Sequence, residues 1–121
     1  MAGEARGGGV LRLPAINLAG EGEVAGIANQ NLRVILDPAW RTSAEGLTLS
    51  ELRALPSTRG IVISTNEALP FRSDFFRTVF ANSAPVGGTT VLGPGIQLSE
   101  VARILRSGGR FIYNGRVYIV D

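Results

Sequence analysis

The chain has no cysteine, no histidine and no lysine, and these absences exclude many kinds of catalytic and metal site. Without cysteine or histidine there is no disulfide framework, zinc finger, cysteine nucleophile or Ser-His-Asp triad. Without lysine there is no Schiff base and no phosphate-binding loop of the Walker type. All 12 basic residues are therefore arginines. The remaining chemistry belongs to carboxylates, hydroxyls, amides, guanidinium groups and the backbone.

Charge is also sparse, since only 18% of the residues are charged and the net charge is +2. The arginines are spread along the chain rather than clustered, so the charge pattern does not favour nucleic-acid binding. No apolar run reaches the length of a transmembrane helix, and we expect no membrane partner. A chain of 121 residues with 45% hydrophobic residues has the apolar material for one core.

The first ten residues are rich in glycine and lack the apolar run of a signal peptide. We expect residues 1–10 to be a flexible segment and residues 11–121 to form a single domain. This pattern fits a cytoplasmic protein or a domain delivered as part of a larger secreted protein.

Short apolar runs separated by turn residues predict six strands. Two amphipathic segments predict helices, the first with Thr48 or Ser50 as N-cap and the second with Ser99 as N-cap and Gly108 as its stop. The strands are expected over residues 13–18, 32–36, 61–63, 78–81, 110–113 and 117–120, and the helices over residues 48–55 and 98–106.

Strands that alternate with helical segments indicate an α/β fold with a mostly parallel sheet. The end of the chain differs, because Asn114-Gly115 lies between two strand-like runs and is a strong signal for a hairpin. We therefore expect the sheet to end in an antiparallel hairpin.

Two motifs resemble segments of the class I S-adenosylmethionine-dependent methyltransferases. Residues 67–71 read EALPF and match the leucine-proline-phenylalanine motif that follows the third strand in that family. Residues 103–111 read RILRSGGRF and are similar to the stretch that leads into its fifth strand. The resemblance implies a Rossmann-like three-layer sandwich. Because the first crossover is short, the chain looks like a reduced or degenerate member.

The resemblance also implies a binding site for S-adenosylmethionine. In the family a glycine-rich loop follows the first strand, and Gly20 and Gly22 are its counterparts here. Asp37 has the place of the acidic residue that holds the ribose hydroxyls. Asn66 and Glu67 follow the third predicted strand, at the edge of the sheet where open α/β folds bind ligands.

Methyl transfer depends mainly on aligning the acceptor with the donor, so few catalytic groups are needed. A general base would be a carboxylate, and Glu21 and Glu23 are the first candidates, with Glu67 as another. Asn82 follows the fourth predicted strand, near the acceptor position of the family. The alternatives are a solvated loop for the two glutamates and a turn for Asp37, since Asp-Pro favours turns.

Two other functions remain open. The scaffold could serve hydrolytic or nucleotide chemistry as the payload of a bacterial toxin, which implies a cognate inhibitor protein. It could also be a non-catalytic module that binds a partner, because fold does not fix function. The sequence does not identify the methyl acceptor.

Overall fold

The computed structural model describes residues 14–20, 24–32, 48–56, 58–82, 84–90 and 93–120. Glu21, Gly22, Glu23 and Asp37 lie outside these residues, as does the segment 1–10. The elements, in chain order, are β1 (Ala15–Leu18), β2 (Ile27–Leu32), α1 (Leu49–Arg53), β3 (Thr58–Ser64), β4 (Phe76–Ala81), β5 (Thr89–Thr90), β6 (Gly93–Pro94), α2 (Leu98–Ile104), β7 (Leu105–Tyr113) and β8 (Arg116–Ile119).

Six of the strands form one sheet in the order β3-β2-β1-β4-β7-β8. All neighbours in this sheet are parallel except β7 and β8, which form an antiparallel hairpin. The turn of that hairpin is Asn114-Gly115, and both residues have positive φ, 49° and 84°, as a type I′ turn requires. The prediction of an α/β fold with a mostly parallel sheet and a terminal hairpin is confirmed.

The helices among the described residues are short. Thr48 caps α1, and its hydroxyl accepts a hydrogen bond from the Glu51 N–H while the Glu51 carboxylate accepts one from the Thr48 N–H. The predicted start of this helix is therefore confirmed, with Thr48 rather than Ser50 as the cap. No helix in the described part of the chain is long and apolar enough to cross a bilayer.

Several predicted boundaries are wrong. The second strand begins at Ile27, not at residue 32. The second helix has Gln97 rather than Ser99 at its N-cap and ends at Ile104. It passes directly into β7, because Leu105 is buried and pairs with Phe76 of β4. Gly108 is therefore not a helix stop, and it lies with a φ of 79° in an irregular part of β7.

One face of the sheet carries the main core. The strand register places Ile16 beside Val79, and Val79 beside Phe111, across β1, β4 and β7. Val101 and Ile104 of α2 are buried in the same core. Burial of this face holds α2 and the segment between β3 and β4 over the sheet, and so fixes the carboxyl ends of the strands relative to one another.

Candidate functional site

The carboxyl ends of β1 and β4 lie side by side, with Leu18 opposite Ala81. The strand order changes direction here, since β1 leads to β2 on one side and β3 leads across to β4 on the other. Open α/β sheets bind ligands at such a switch point, beyond the carboxyl ends of the strands. Two candidate residues follow these strands, Gly20 after β1 and Asn82, which is half-buried, after β4.

The backbone of the turn after β1 is hydrogen-bonded inside the protein. The Ala19 N–H donates to the side-chain oxygen of Gln30 at 3.0 Å, and the Gly20 N–H donates to the Gln30 carbonyl at 2.9 Å. The Gly20 carbonyl accepts a hydrogen bond from the Asn31 amide at 3.1 Å. These two N–H groups are therefore already occupied by neighbouring residues of β2.

Gly20 is a glycine because of close packing. A Cβ at this position would overlap the Oδ1 of Asn29. It would also lie 2.7 Å from the side-chain Nδ2 of Asn17 and 2.7 Å from the backbone carbonyl oxygen of the same residue. Those contacts include backbone, which cannot move aside as a flexible side chain can. Close packing within the protein is therefore a sufficient reason for glycine at this position.

A buried group of polar side chains connects β1, β2 and β3, and we call it the amide cluster. Gln30 is fully buried, and its Nε2 donates to the Ser64 hydroxyl at 3.0 Å. Asn17 donates to the Oδ1 of Asn29 at 3.1 Å. These groups are neutral, so the cluster joins the strands but supplies no general base. Its members are Asn17, Asn29, Gln30, Asn31 and Ser64.

The two candidates after β3 have opposite environments. Asn66 is only 6% exposed, and its amide donates to the carbonyl of Pro94 in β6 at 3.0 Å. Its Oδ1 is buried, and no donor among the described residues reaches it. Glu67, the next residue, is exposed. This loop therefore presents an exposed carboxylate beside a buried acceptor.

The segment that follows is fixed by two charged residues of α2, and we call this arrangement the Glu-Arg clamp. Glu100 accepts a hydrogen bond from the Leu69 N–H at 2.8 Å. The Arg103 guanidinium donates to the carbonyl of Leu69 at 2.9 Å and to the carbonyl of Phe71 at 2.7 Å. The two side chains also form an ion pair at 2.8 Å. Three backbone groups of this short segment thus have a charged partner on α2.

The clamp changes the ionisation of both of its members. The hydrogen bond from Arg103 holds the pKa of the Glu100 carboxyl below its ordinary value, and the hydrogen bond from the Leu69 N–H acts in the same direction. The hydrogen bond to Glu100 likewise raises the pKa of Arg103. Both groups therefore stay charged at neutral pH, and the clamp is fully formed there.

The structure brings some of the sequence-predicted site residues to one edge of the sheet. Gly20, Asn66, Glu67 and Asn82 all follow carboxyl ends of parallel strands. The described residues contain no cluster of three or more acidic, histidine or cysteine side chains that could hold a metal ion.

Sequence reasoning missed the amide cluster and the Glu-Arg clamp. The run of Asn29, Gln30 and Asn31 indicated only a poor helix. The signal that could have revealed the clamp was the spacing of Glu100 and Arg103, which places both on one face of a helix.

Comparison with models of known protein families found no match, and comparison with curated proteins found none. The resemblance to methyltransferases therefore depends on the two motifs alone.

Proposed function

We propose that this chain transfers a methyl group from S-adenosylmethionine to an acceptor that is not identified, as a reduced class I methyltransferase. One observation carries the proposal. The two motifs that resemble the family, around Leu69 and around Arg103, are about thirty residues apart in sequence, and the Glu-Arg clamp joins them directly. The two matched segments therefore hydrogen-bond to each other in the folded chain.

The strand order supports the same proposal. The arrangement β3-β2-β1-β4-β7-β8 is that of a doubly wound sheet, with its switch point between β1 and β4. A Rossmann-like fold with helices on both faces is part of the proposal. In the described residues, α1 has five residues and α2 has seven.

The environment after β3 fits the adenosine part of the cofactor. The buried Oδ1 of Asn66 is an acceptor without a partner among the described residues, and an exocyclic amino group could supply the missing hydrogen bond. Glu67 adds an exposed carboxylate beside it. On the β1 side, the N–H groups of Ala19 and Gly20 are occupied. The proposal therefore assigns contacts there to Gly22, and to Asp37 for the ribose.

The protein's part in the reaction would be mainly to position the acceptor. When bound, the cofactor supplies an electrophilic methyl group. Asn82, half-buried beyond β4, would orient the acceptor. Glu21 or Glu23 would take the proton that the acceptor loses, because the chain has no histidine or lysine for that task.

Calorimetric titration of the purified protein with S-adenosylmethionine and S-adenosylhomocysteine tests this proposal. We expect both ligands to bind and Asp37→Asn to weaken binding at least tenfold, since a hydrogen-bonded ribose contact to a charged group is worth about 1.5–3 kcal/mol. Asp74→Asn is the matched control. Asp74 is exposed and precedes β4, so it lies at the amino ends of the parallel strands, away from the proposed site at their carboxyl ends. No binding at millimolar ligand by the folded protein would contradict the proposal.

A non-catalytic binding module is the second candidate, and one observation favours it. Gln30 occupies the two backbone donors, at Ala19 and Gly20, that a glycine-rich loop would otherwise offer to a ligand. This second candidate would be supported if the protein unfolds cooperatively on heating, and so is folded, but binds neither S-adenosylmethionine nor S-adenosylhomocysteine.

A further inference from the structure

The outer strand of the hairpin, β8, exposes large apolar side chains in succession. Val117 is 53% exposed, Tyr118 48% and Ile119 59%. Single exposed apolar residues are common on protein surfaces, but three in a row on the edge strand of a sheet are not. Among the described strands, β8 has a neighbour on one side only.

Within the part of the chain that the structure describes, the outer edge of β8 also presents backbone groups without a partner. The two-residue turn makes Tyr113 and Arg116 the first hydrogen-bonded pair of the hairpin. Further along, the Val120 N–H donates to the Gly109 carbonyl at 2.9 Å. Hydrogen bonding alternates along an antiparallel strand, so Arg116, Tyr118 and Val120 bond to β7. The N–H and C=O groups of Val117 and Ile119 consequently point away from the sheet.

The apolar side chains of β8 continue a row that begins inside the sheet. The strand register places Phe80 of β4 beside Ile112 of β7, and Ile112 beside Val117 of β8. Phe80 and Ile112 are half-buried, whereas Val117 is exposed. The row therefore reaches solvent at an edge where one more strand would extend it.

Positive charge predominates around this edge, since Asp121 is the one acidic residue after Glu100 in the sequence. Residues 101–120 contain four arginines and no acidic residue. Arg103 belongs to the Glu-Arg clamp. Arg110 and Arg116 are exposed, and no carboxylate of the described residues pairs with either. Arg116 is the one charged residue of β8, so a second copy of this strand would offer it no opposite charge from within the strand.

We propose that β8 is the docking edge for an extended strand of a partner protein whose side chains alternate between apolar and acidic. The added strand would take its main-chain hydrogen bonds from Val117 and Ile119. Its apolar side chains would lie beside theirs on one face of the sheet, and an acidic side chain would lie beside Arg116 on the other. This surface is independent of the proposed cofactor site, so its test does not depend on methyl transfer.

The test uses the isotope-labelled full chain and two synthetic seven-residue peptides at neutral pH, one alternating valine and glutamate and the other alternating valine and lysine. We expect the glutamate peptide to shift the amide resonances of residues 116–120. We also expect it to slow hydrogen exchange at Val117 and Ile119 at least tenfold. The lysine peptide should do neither.

Two variants separate the contributions of the backbone and of charge. Ile119→Pro removes one outward N–H while leaving the hydrogen bonds to β7, and it should abolish peptide binding. Arg116→Glu should weaken binding of the glutamate peptide at least fivefold and keeps the test valid if the proline variant does not fold. Arg59→Glu is the matched control, because Arg59 is exposed on β3, the opposite edge of the sheet.

Three results would overturn the proposal. The first is no resonance shift at millimolar glutamate peptide. The second is equal binding of the two peptides, or shifts confined to β3. The third is a dimer in sedimentation analysis that Ile119→Pro dissociates, because the occupant of the edge would then be a second copy of this chain.

Discussion

Replacement of Gln30 by methionine should destabilise the protein by removing buried hydrogen bonds at the carboxyl edge of the sheet. The side chain of Gln30 is fully buried and connects the turn after β1 to Ser64 of β3. Its oxygen accepts from the Ala19 N–H, and its nitrogen donates to the Ser64 hydroxyl. Methionine has a similar shape and fills the same space, so Gln30→Met removes the hydrogen bonds without opening a cavity.

The size of the effect follows from the partners that are left behind. The Ala19 N–H would remain in the interior without an acceptor, which costs about 1–3 kcal/mol. The Ser64 hydroxyl would lose its donor, at about 0.5–1.5 kcal/mol. The free energy of unfolding should fall by about 1.5–4.5 kcal/mol. At roughly 4 °C per kcal/mol for a chain of this length, the melting temperature should drop by about 6–18 °C.

Thermal and urea unfolding followed by circular dichroism measure this loss. Gln97→Met is the matched control, because Gln97 is half-buried and makes one side-chain hydrogen bond, to the Gly95 carbonyl at 2.9 Å. We expect the control to lose less than about 1 kcal/mol. If the two variants were equally stable, the amide cluster would not hold the strands together and our account of this edge would be wrong.

Two further variants test other parts of the same edge. Gly20→Ala should destabilise the protein by about 3 kcal/mol or more, because the added Cβ meets the Asn17 backbone. Gly115→Ala is the control and should cost about 1 kcal/mol, since Gly115 has open space around it and a φ of 84°. Chemical denaturation measures both losses, and equal losses would refute the packing argument. Glu100→Gln should make the free energy of unfolding less dependent on pH in the acid range. The pKa of Glu100 is lowered in the folded state, so this carboxylate stabilises the protein above its unfolded pKa of about 4.3. That stabilisation is lost as the pH falls through the folded-state pKa. An unchanged pH dependence in unfolding measurements between pH 3 and 6 would contradict this.

The sequence predicts best where a local pattern decides the structure by itself. Thr48 and Glu51 form a capping box, and both hydrogen bonds of that box depend only on residues three apart. Asn114-Gly115 similarly determines the hairpin, because both residues accept positive φ at little cost. Neither element needs a distant contact to form.

The prediction fails where tertiary contacts override local preference. Asn29, Gln30 and Asn31 are poor strand formers, but their side chains hydrogen-bond to β1, β3 and the turn between β1 and β2. Burial with these partners makes a strand of a segment that looks like a polar connection. Leu105 ends α2 early for a related reason, since its pairing with Phe76 is a contact between residues far apart in sequence.

Three of the residues that carry the family resemblance, Leu69, Arg103 and Gly109, have structural reasons to be what they are. Leu69 is buried in the core, and Arg103 binds the carbonyls on either side of Pro70. Gly109 is buried, and a Cβ there would lie 2.8 Å from the Arg106 carbonyl. Changes at these positions should therefore lower the stability of any protein with this fold, with or without a cofactor. Only a binding measurement on a variant that stays folded, such as Asp37→Asn, separates methyl transfer from a scaffold that has kept the fold alone.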